Sequence, residues 1–282
     1  MWDDPLVAEV RTDSLVQAAQ GGDPEALDAL LRRYQPQIYR FGMKMCRDPE
    51  VAQDVLQETL FAAARTLGGF RGESSLSTWL YAIARSFCIK ARRSSAFAPA
   101  LVSLESEAPE ARATADTAPG PDRTLADLEI VAALDSAIAA LEPEHREVLL
   151  LRDVEGLAAS EVAEVTGLSV AAVKSRLHRA RAAVRERLAP VLPPPAPVLP
   201  AEAGSCPEVA SLLSRHLEGD IAPAACAEME QHVAACPRCR AACDTFRQTL
   251  RLCGSMPAAA VPEAVQESIR QGIRGLLAGR RA

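Results

Sequence analysis

Residues Leu141–Leu188 read LEPEHREVLLLRDVEGLAASEVAEVTGLSVAAVKSRLHRARAAVRERL, and the punctuation in this stretch decides the fold. Pro143 suits a first helical position, and the helix it opens is expected to end near Gly156. A short helix over Ala159–Thr166 stops at Gly167, a residue at ease in the left-handed conformation that ends helices. Ser169 can cap the next helix, whose Val173, Leu177, Ala180 and Val184 recur on one face and point inward. Short helix, glycine turn and longer helix together make the grammar of a helix-turn-helix. The longer helix is basic: from Val170 to Pro190 there are six Lys or Arg and one acid. Lys174, Ser175, Arg176, His178 and Arg179 lie at or near its start, the part that reaches base edges in the major groove in this motif. Arg and Lys there read guanine or hold phosphate, and spacing alone does not choose. Without the turn before it, the same pattern would describe a solvated basic face.

The rest of the chain agrees with an all-helical protein. Its 282 residues are enough for two or three small domains. Aromatics make up only 4%, Ala and Leu dominate, and no clear run of alternating β-branched residues argues for a sheet. The net charge of −6 does not announce nucleic acid, so the distribution of charge matters more than its total. Met1–Val10 carries three acids and no apolar core, unlike a signal peptide. No apolar run approaches the roughly 20 residues of a spanning helix. A cytoplasmic protein with no membrane association is expected. Its eight cysteines then serve as metal ligands or buried thiols, not disulfides.

Two stretches read as linkers. Ser94–Arg123 is rich in Ala, Pro, Ser and Thr, counts seven acids against two arginines from Leu101 to Glu129, and lacks the apolar residues to bury a core. Pro190–Pro200, PVLPPPAPVLP, holds six prolines and reads as a stiff, extended spacer. These cuts give modules at 10–93 and 125–189, a linker at 94–124, a spacer at 190–205, a cysteine-rich segment at 206–256 and a tail at 257–282. In the first module, Asp48-Pro49-Glu50 opens a helix. On it, Val51, Val55, Thr59 and Ala62 fall on one side, and Asp54, Gln57 and Glu58 on another. That polar side alone would read as solvent-facing. Gly68, Gly69 and Gly72 then form a loop around Phe70 and Arg71. Ser77 is placed to cap a helix with Trp79, Ile83 and Phe87 at successive i+4 positions and a basic end of Arg85, Lys90, Arg92 and Arg93. Aromatics beside positive charge suit stacked, unpaired bases and phosphates; for Phe87 core packing is the preferred reading. Cys46 and Cys88 are read as packing residues.

Tyr34–Arg93, YQPQIYRFGMKMCRDPEVAQDVLQETLFAAARTLGGFRGESSLSTWLYAIARSFCIKARR, resembles region 2 of the extracytoplasmic-function sigma factors of the sigma-70 family. Leu141–Ala182 resembles their region 4, and the two occur in the right order. The resemblance covers most of residues 10–93 and 125–188. It implies an all-helical protein that joins core RNA polymerase, through the β′ clamp helices and the β flap, and directs it to promoter DNA. Asp54, Gln57 and Glu58 would then meet the clamp helices. Phe70, Arg71, Trp79, Arg85, Lys90, Arg92 and Arg93 would serve the −10 element, captured single-stranded. Ser169, Lys174, Ser175, Arg176, His178 and Arg179 would serve the −35 element. Ser86 stands where many relatives carry Asn, which weakens any forecast of the −10 sequence.

The C-terminal segment carries its own signal. Met229–Arg240, MEQHVAACPRCR, contains His-x3-Cys-x2-Cys, with His232 and Cys236 one helical turn apart and Cys239 close behind. Cys206 is the best fourth ligand, because a helix, a turn at Gly219 and a second helix would fold it back. Zinc accepts three thiolates and an imidazole tetrahedrally, with Zn–S near about 2.3 Å. The segment resembles the zinc-binding anti-sigma domain through Cys206, His232, Cys236 and Cys239. Such domains usually sit on separate proteins that wrap a sigma factor. Here it would regulate the sigma modules on the same chain by intramolecular contact, in response to metal or redox state, either restraining them or being required for their activity. Cys226, Cys243 and Cys253 remain as further ligands or an oxidisable pair, and thiolate abundance also fits copper or cadmium in a sensing role. The tail, with Val265, Ile269, Ile273 and Leu276, is amphipathic and suited to core packing.

Two other classes compete. A helix-turn-helix regulator acting without replacing the sigma subunit would have no use for the polar side at Asp54, Gln57 and Glu58. A zinc or thiol enzyme needs an open coordination position and an acid–base set. Neither accompanies this motif, and no enzymatic activity is expected.

Overall fold

The computed structural model describes residues 5–97, 125–192 and 206–279, and the side-chain surroundings of 12–93, 127–192 and 206–277. Nearly all of the linker at 94–124 and of the proline spacer lies outside the described residues. The described chain is helical and holds no strand: α1 (Pro5–Gln20), α2 (Pro24–Cys46), α3 (Pro49–Thr66), α4 (Leu76–Phe97), α5 (Leu125–Ala139), α6 (Pro143–Leu149), α7 (Ala159–Thr166), α8 (Val170–Leu188), α9 (Val209–Leu217), α10 (Pro223–Ala235), α11 (Pro237–Gly254) and α12 (Glu263–Gly279). None of these helices is long and apolar enough to cross a membrane. The chain divides into two compact units, one of Met1–Ala118 with Ala258–Ala282 and one of Pro119–Pro257.

In the first unit, α2 and α3 start alike. Asp23 and Asp48 each accept backbone N–H bonds from the two residues that follow Pro24 and Pro49, satisfying donors the helix itself leaves open. Arg47 joins the two helices in the left-handed region at φ 61°. The buried side of α3 is Ala52, Val55, Leu56, Thr59, Leu60, Ala63 and Ala64. Val51 and Ala62, which share a side with Val55 and Thr59 in the sequence pattern, are only half-buried. For α4 the cap is Ser75 and not Ser77: the Thr78 N–H donates to Ser75 Oγ at 3.2 Å, and the helix begins one residue before Ser77. Its enclosed stripe is Leu80, Ala84 and Cys88. The expected stripe of Trp79, Ile83 and Phe87 lies one residue round and is half-buried, so Phe87 is a flank residue, not a core one. The tail helix α12 packs on α2 and α3 within this unit. Ile269 and Ile273 are buried, and a Cβ on Gly272 would stand 2.3 Å from Phe61 Cζ. Any side chain at position 272 would force the Phe61 ring to move.

In the second unit, the buried Arg146 of α6 donates to the carbonyls of Ile138, Ala139 and Leu141 at 3.2, 2.6 and 2.9 Å. It thereby satisfies the open C-terminal end of α5. The helix opened by Pro143 continues through a π turn at Leu150–Val154 before Gly156 reverses the chain at φ 80°. α9, α10 and α11 enclose a small core of Val209, Leu213, Met229, Cys239, Cys243 and Phe246. A core this small rarely holds a fold without a staple. It leans on the rest of its unit: α9 and α11 both pack against α8.

Candidate nucleic-acid interface and metal centre

The turn between α7 and α8 is built as a helix-turn-helix requires. Gly167 ends α7 at φ 72°, ψ 19°, a conformation that favours glycine. The Glu161 carboxylate accepts from the Ala158 N–H at 2.8 Å and closes the start of α7. Ser169 Oγ accepts from the Ala172 N–H at 3.2 Å and opens α8. Val173, Leu177, Ala180, Val184 and Leu188 are all 0% exposed, which fixes the roll of α8 and turns its basic side outward.

That outward side is not bare. Ser175 and Arg179 are exposed, whereas Lys174, Arg176 and His178 are half-buried. Lys174 Nζ lies 3.6 Å from Asp220 Oδ1, and Arg176 NH2 lies 2.8 Å from Glu144 Oε2. Val170, Lys174, Ser175 and His178 line a groove of about 290 Å³ whose other wall is Ser214, Arg215, Glu218 and Asp220. The second wall is α9 and the turn after it, so the cysteine-rich segment covers part of the side of α8 that a base-reading helix presents.

One turn further along α8, Arg181 anchors that cover. Its guanidinium donates to both Asp153 oxygens at 2.8 and 2.6 Å, to Glu218 Oε1 at 2.8 Å and to Ser214 Oγ at 3.2 Å. Arg152 Nε donates to the other Glu218 oxygen at 3.2 Å. The side chains of Arg181, Asp153 and Glu218 are 3%, 5% and 4% exposed. Burial pushes the Arg181 guanidinium down, but its bonds to Asp153 and Glu218 more than offset this and hold it above its ordinary value. Two cations meet two anions here with every charge bonded, which is the condition for a buried ion cluster to be tolerated. Sequence reasoning missed this cluster. Asp153, Arg181 and Glu218 belong to three separate elements, and none is unusual within its own.

The metal-ligating residues come from three places: Cys206 ahead of α9, His232 near the end of α10, and Cys236 and Cys239 at the start of α11. One ligand atom from each lies within 4.8 Å of all the others, and this is the only such group among the described residues. Cys206 Sγ and Cys236 Sγ stand 3.9 Å apart, close to the tetrahedral edge of about 3.8 Å that a Zn–S bond of about 2.3 Å implies. His232 Nε2 is 3.1 Å from Cys239 Sγ. Burial and hydrogen bonds with Cys206 and Cys236 push the Cys239 thiol up to about 12, while the Cys239 backbone N–H lowers Cys236. The donor set fits a metal ion: three sulfurs and one imidazole. The other three cysteines stand apart from this group. Cys243 is buried in the small core, Cys253 is buried beside Asp153 and Arg181 and pushed up to about 12, and Cys226 faces His216 Nδ1 at 3.1 Å.

In the first unit, Asp54 and Glu58 are exposed and Gln57 is half-buried on α3. Phe61, under α12, follows Gln57 by one turn. Phe70 and Trp79 meet with ring centroids 5.3 Å apart at 47°. Their loop is held by Gln20, which donates to the carbonyls of Leu67 and Phe70 at 3.1 and 2.7 Å, a support with no sequence signal. Arg71, Lys90, Arg92 and Arg93 are exposed and Arg85 is half-buried.

Comparison with known proteins fits this architecture. Residues 30–97 match the family described as Sigma-70 region 2, residues 132–184 match Sigma-70 region 4, and residues 206–240 match Putative zinc-finger. The chain is 33% identical over 199 residues to the RNA polymerase sigma-H factor of Pseudomonas aeruginosa, covering 66% of this chain and 98% of that one. It is 34% identical over 174 residues to the ECF RNA polymerase sigma factor SigM of Mycobacterium tuberculosis, covering 61% and 82%. Among solved structures it is similar to the sigma factor RpoE in complex with the anti-sigma factor NepR from Bartonella quintana, at 25% identity and a TM-score of 0.46, covering 56% and 93%. The chain belongs to the extracytoplasmic-function sigma factors of the sigma-70 family, and it carries a zinc-finger-like metal site behind its region 4.

Proposed function

We propose that this sigma factor is restrained in cis by its own zinc-loaded C-terminal domain, which covers the −35-reading side of α8. The observation that carries the reading is the buried Arg181–Asp153–Glu218 cluster, with Lys174 paired to Asp220 beside it. Glu218 and Asp220 are the domain's own residues: Asp220 pairs with Lys174, one of the −35 candidates, and Glu218 fastens the domain to the buried Arg181 beside it. Carboxylates mimic phosphate oxygens in charge and in bidentate fit to arginine. Tethering puts the domain at an effective concentration on the order of mM, so a modest interface suffices.

In the released state, Lys174, Ser175, Arg176, His178 and Arg179, with Ser169 at the helix start, serve the −35 element. Phe70, Arg71, Trp79, Arg85, Lys90, Arg92 and Arg93 serve the −10 element. Asp54, Gln57 and Glu58 meet the β′ clamp helices of the polymerase in the cytoplasm, and the β flap holds region 4. Cys206, His232, Cys236 and Cys239 hold zinc, which supplies the cross-link that keeps α9 in register with α10 and α11. No catalysis is assigned to the chain. The test is promoter-dependent transcription with core polymerase: Glu218→Ala and Cys236→Ser raise output if the domain restrains, and unchanged output from both refutes restraint.

A further inference from the structure

Cys46 and Cys88 lie outside every site described above. Cys46 is the last residue of α2, and Cys88 sits in the enclosed stripe of α4, 42 residues later. Their sulfurs face each other at 3.6 Å, with Cys46 partly open to solvent and Cys88 buried. The hydrogen bond with Cys88, followed by the charge of Arg92, outweighs burial and the nearby Asp48 and holds the Cys46 thiol below its ordinary value. An accessible thiol of raised thiolate content beside a second thiol is the arrangement of a peroxide-reactive pair.

We propose that Cys46 and Cys88 form a two-cysteine redox site that reacts with hydroperoxides and closes to a disulfide tying α2 to α4. In the first step the Cys46 sulfur attacks the terminal peroxide oxygen. The S–O bond forms as the O–O bond breaks, the Cys46 proton leaves with the departing oxygen, and with hydrogen peroxide the product is water. In the second step the Cys88 sulfur attacks the Cys46 sulfur. The S–S bond forms, the S–O bond breaks, and the departing hydroxyl takes the Cys88 proton as a second water. Two thiols are oxidised by two electrons and one peroxide is reduced. The bond joins the end of α2, immediately before the turn into α3, to the basic half of α4. It therefore fixes α4, which carries −10-facing residues, to the end of α2, just ahead of the helix α3 that carries the polymerase-facing residues. The site is independent of the metal centre.

The test uses the full-length, metal-loaded protein, reduced and then exposed to hydrogen peroxide. Remaining thiols are alkylated and the protein is digested without reductant for mass spectrometry. A Cys46–Cys88 linked peptide, lighter by two hydrogen atoms than its reduced parts, is the expected product. In Cys88→Ser, dimedone traps a sulfenic acid on Cys46; in the unaltered chain this adduct is at least several-fold weaker, because Cys88 consumes it. Oxidation that appears only among Cys206, Cys236 and Cys239, or a Cys46 that dimedone labels equally in both chains, overturns the proposal.

Discussion

Arg181 shows what a single buried charge decides. It lies on the helix expected to touch DNA, yet its guanidinium is spent on Asp153, Glu218 and Ser214. Removing one member of such a cluster leaves a buried charge short of a partner, a loss of about 3–5 kcal/mol. Glu218→Ala is therefore expected to loosen α9 from α8 by that order, read as faster amide exchange in Val209–Leu217 with α8 itself still protected. Leu177 is 0% exposed, so Leu177→Ala is expected to lower the unfolding free energy of its unit by about 2–5 kcal/mol in urea titration. Cys46 adds a pH signature. Its thiol sits below its ordinary value through the bond with Cys88, so alkylation of Cys46 should reach half its maximal rate at a lower pH than in Cys88→Ala. Removing the bond moves the midpoint upward; an unmoved midpoint contradicts the assigned cause.

At the scale of elements, α7, its turn and α8 were legible because each boundary has a local cause: Glu161, Gly167 and Ser169 act within a few residues of themselves. The reading of α4 missed by one residue because Ser75 and Ser77 are both competent caps, and the choice between them depends on which stripe the rest of the unit encloses. The π turn at Leu150–Val154 has no local residue signal that was available. The group of Cys206, His232, Cys236 and Cys239 was legible because ligand spacing is short-range, apart from Cys206, which required the turn at Gly219 to be recognised. What was not legible is which face meets which. The seat of α12 illustrates it: an amphipathic pattern states that Ile269 and Ile273 are covered but not by what. Gly272 against Phe61 supplies the answer and a test. Gly272→Leu is expected to lift α12 from α3, read as rapid proteolysis within Glu263–Gly279 while α2 and α3 resist.

For the whole molecule, the metal and the ion cluster act in series. A metal held by Cys206, His232, Cys236 and Cys239 would tie the start of α9 to α10 and α11, and the turn after α9 sets Glu218 and Asp220 against α8. Metal binding in a core this small is folding free energy, so a strong chelator is expected to remove helical circular dichroism from the cysteine-rich segment and to raise DNA affinity together. The account rests on the domain's covering of α8, and one measurement addresses it most directly. Run-off transcription with core polymerase would compare the metal-loaded full chain, its Glu218→Ala variant and residues 1–192, on a promoter selected with residues 1–192. The account predicts the same start site in all three, the lowest output from the full chain, and output from Glu218→Ala approaching that of residues 1–192. Equal output from all three would contradict it.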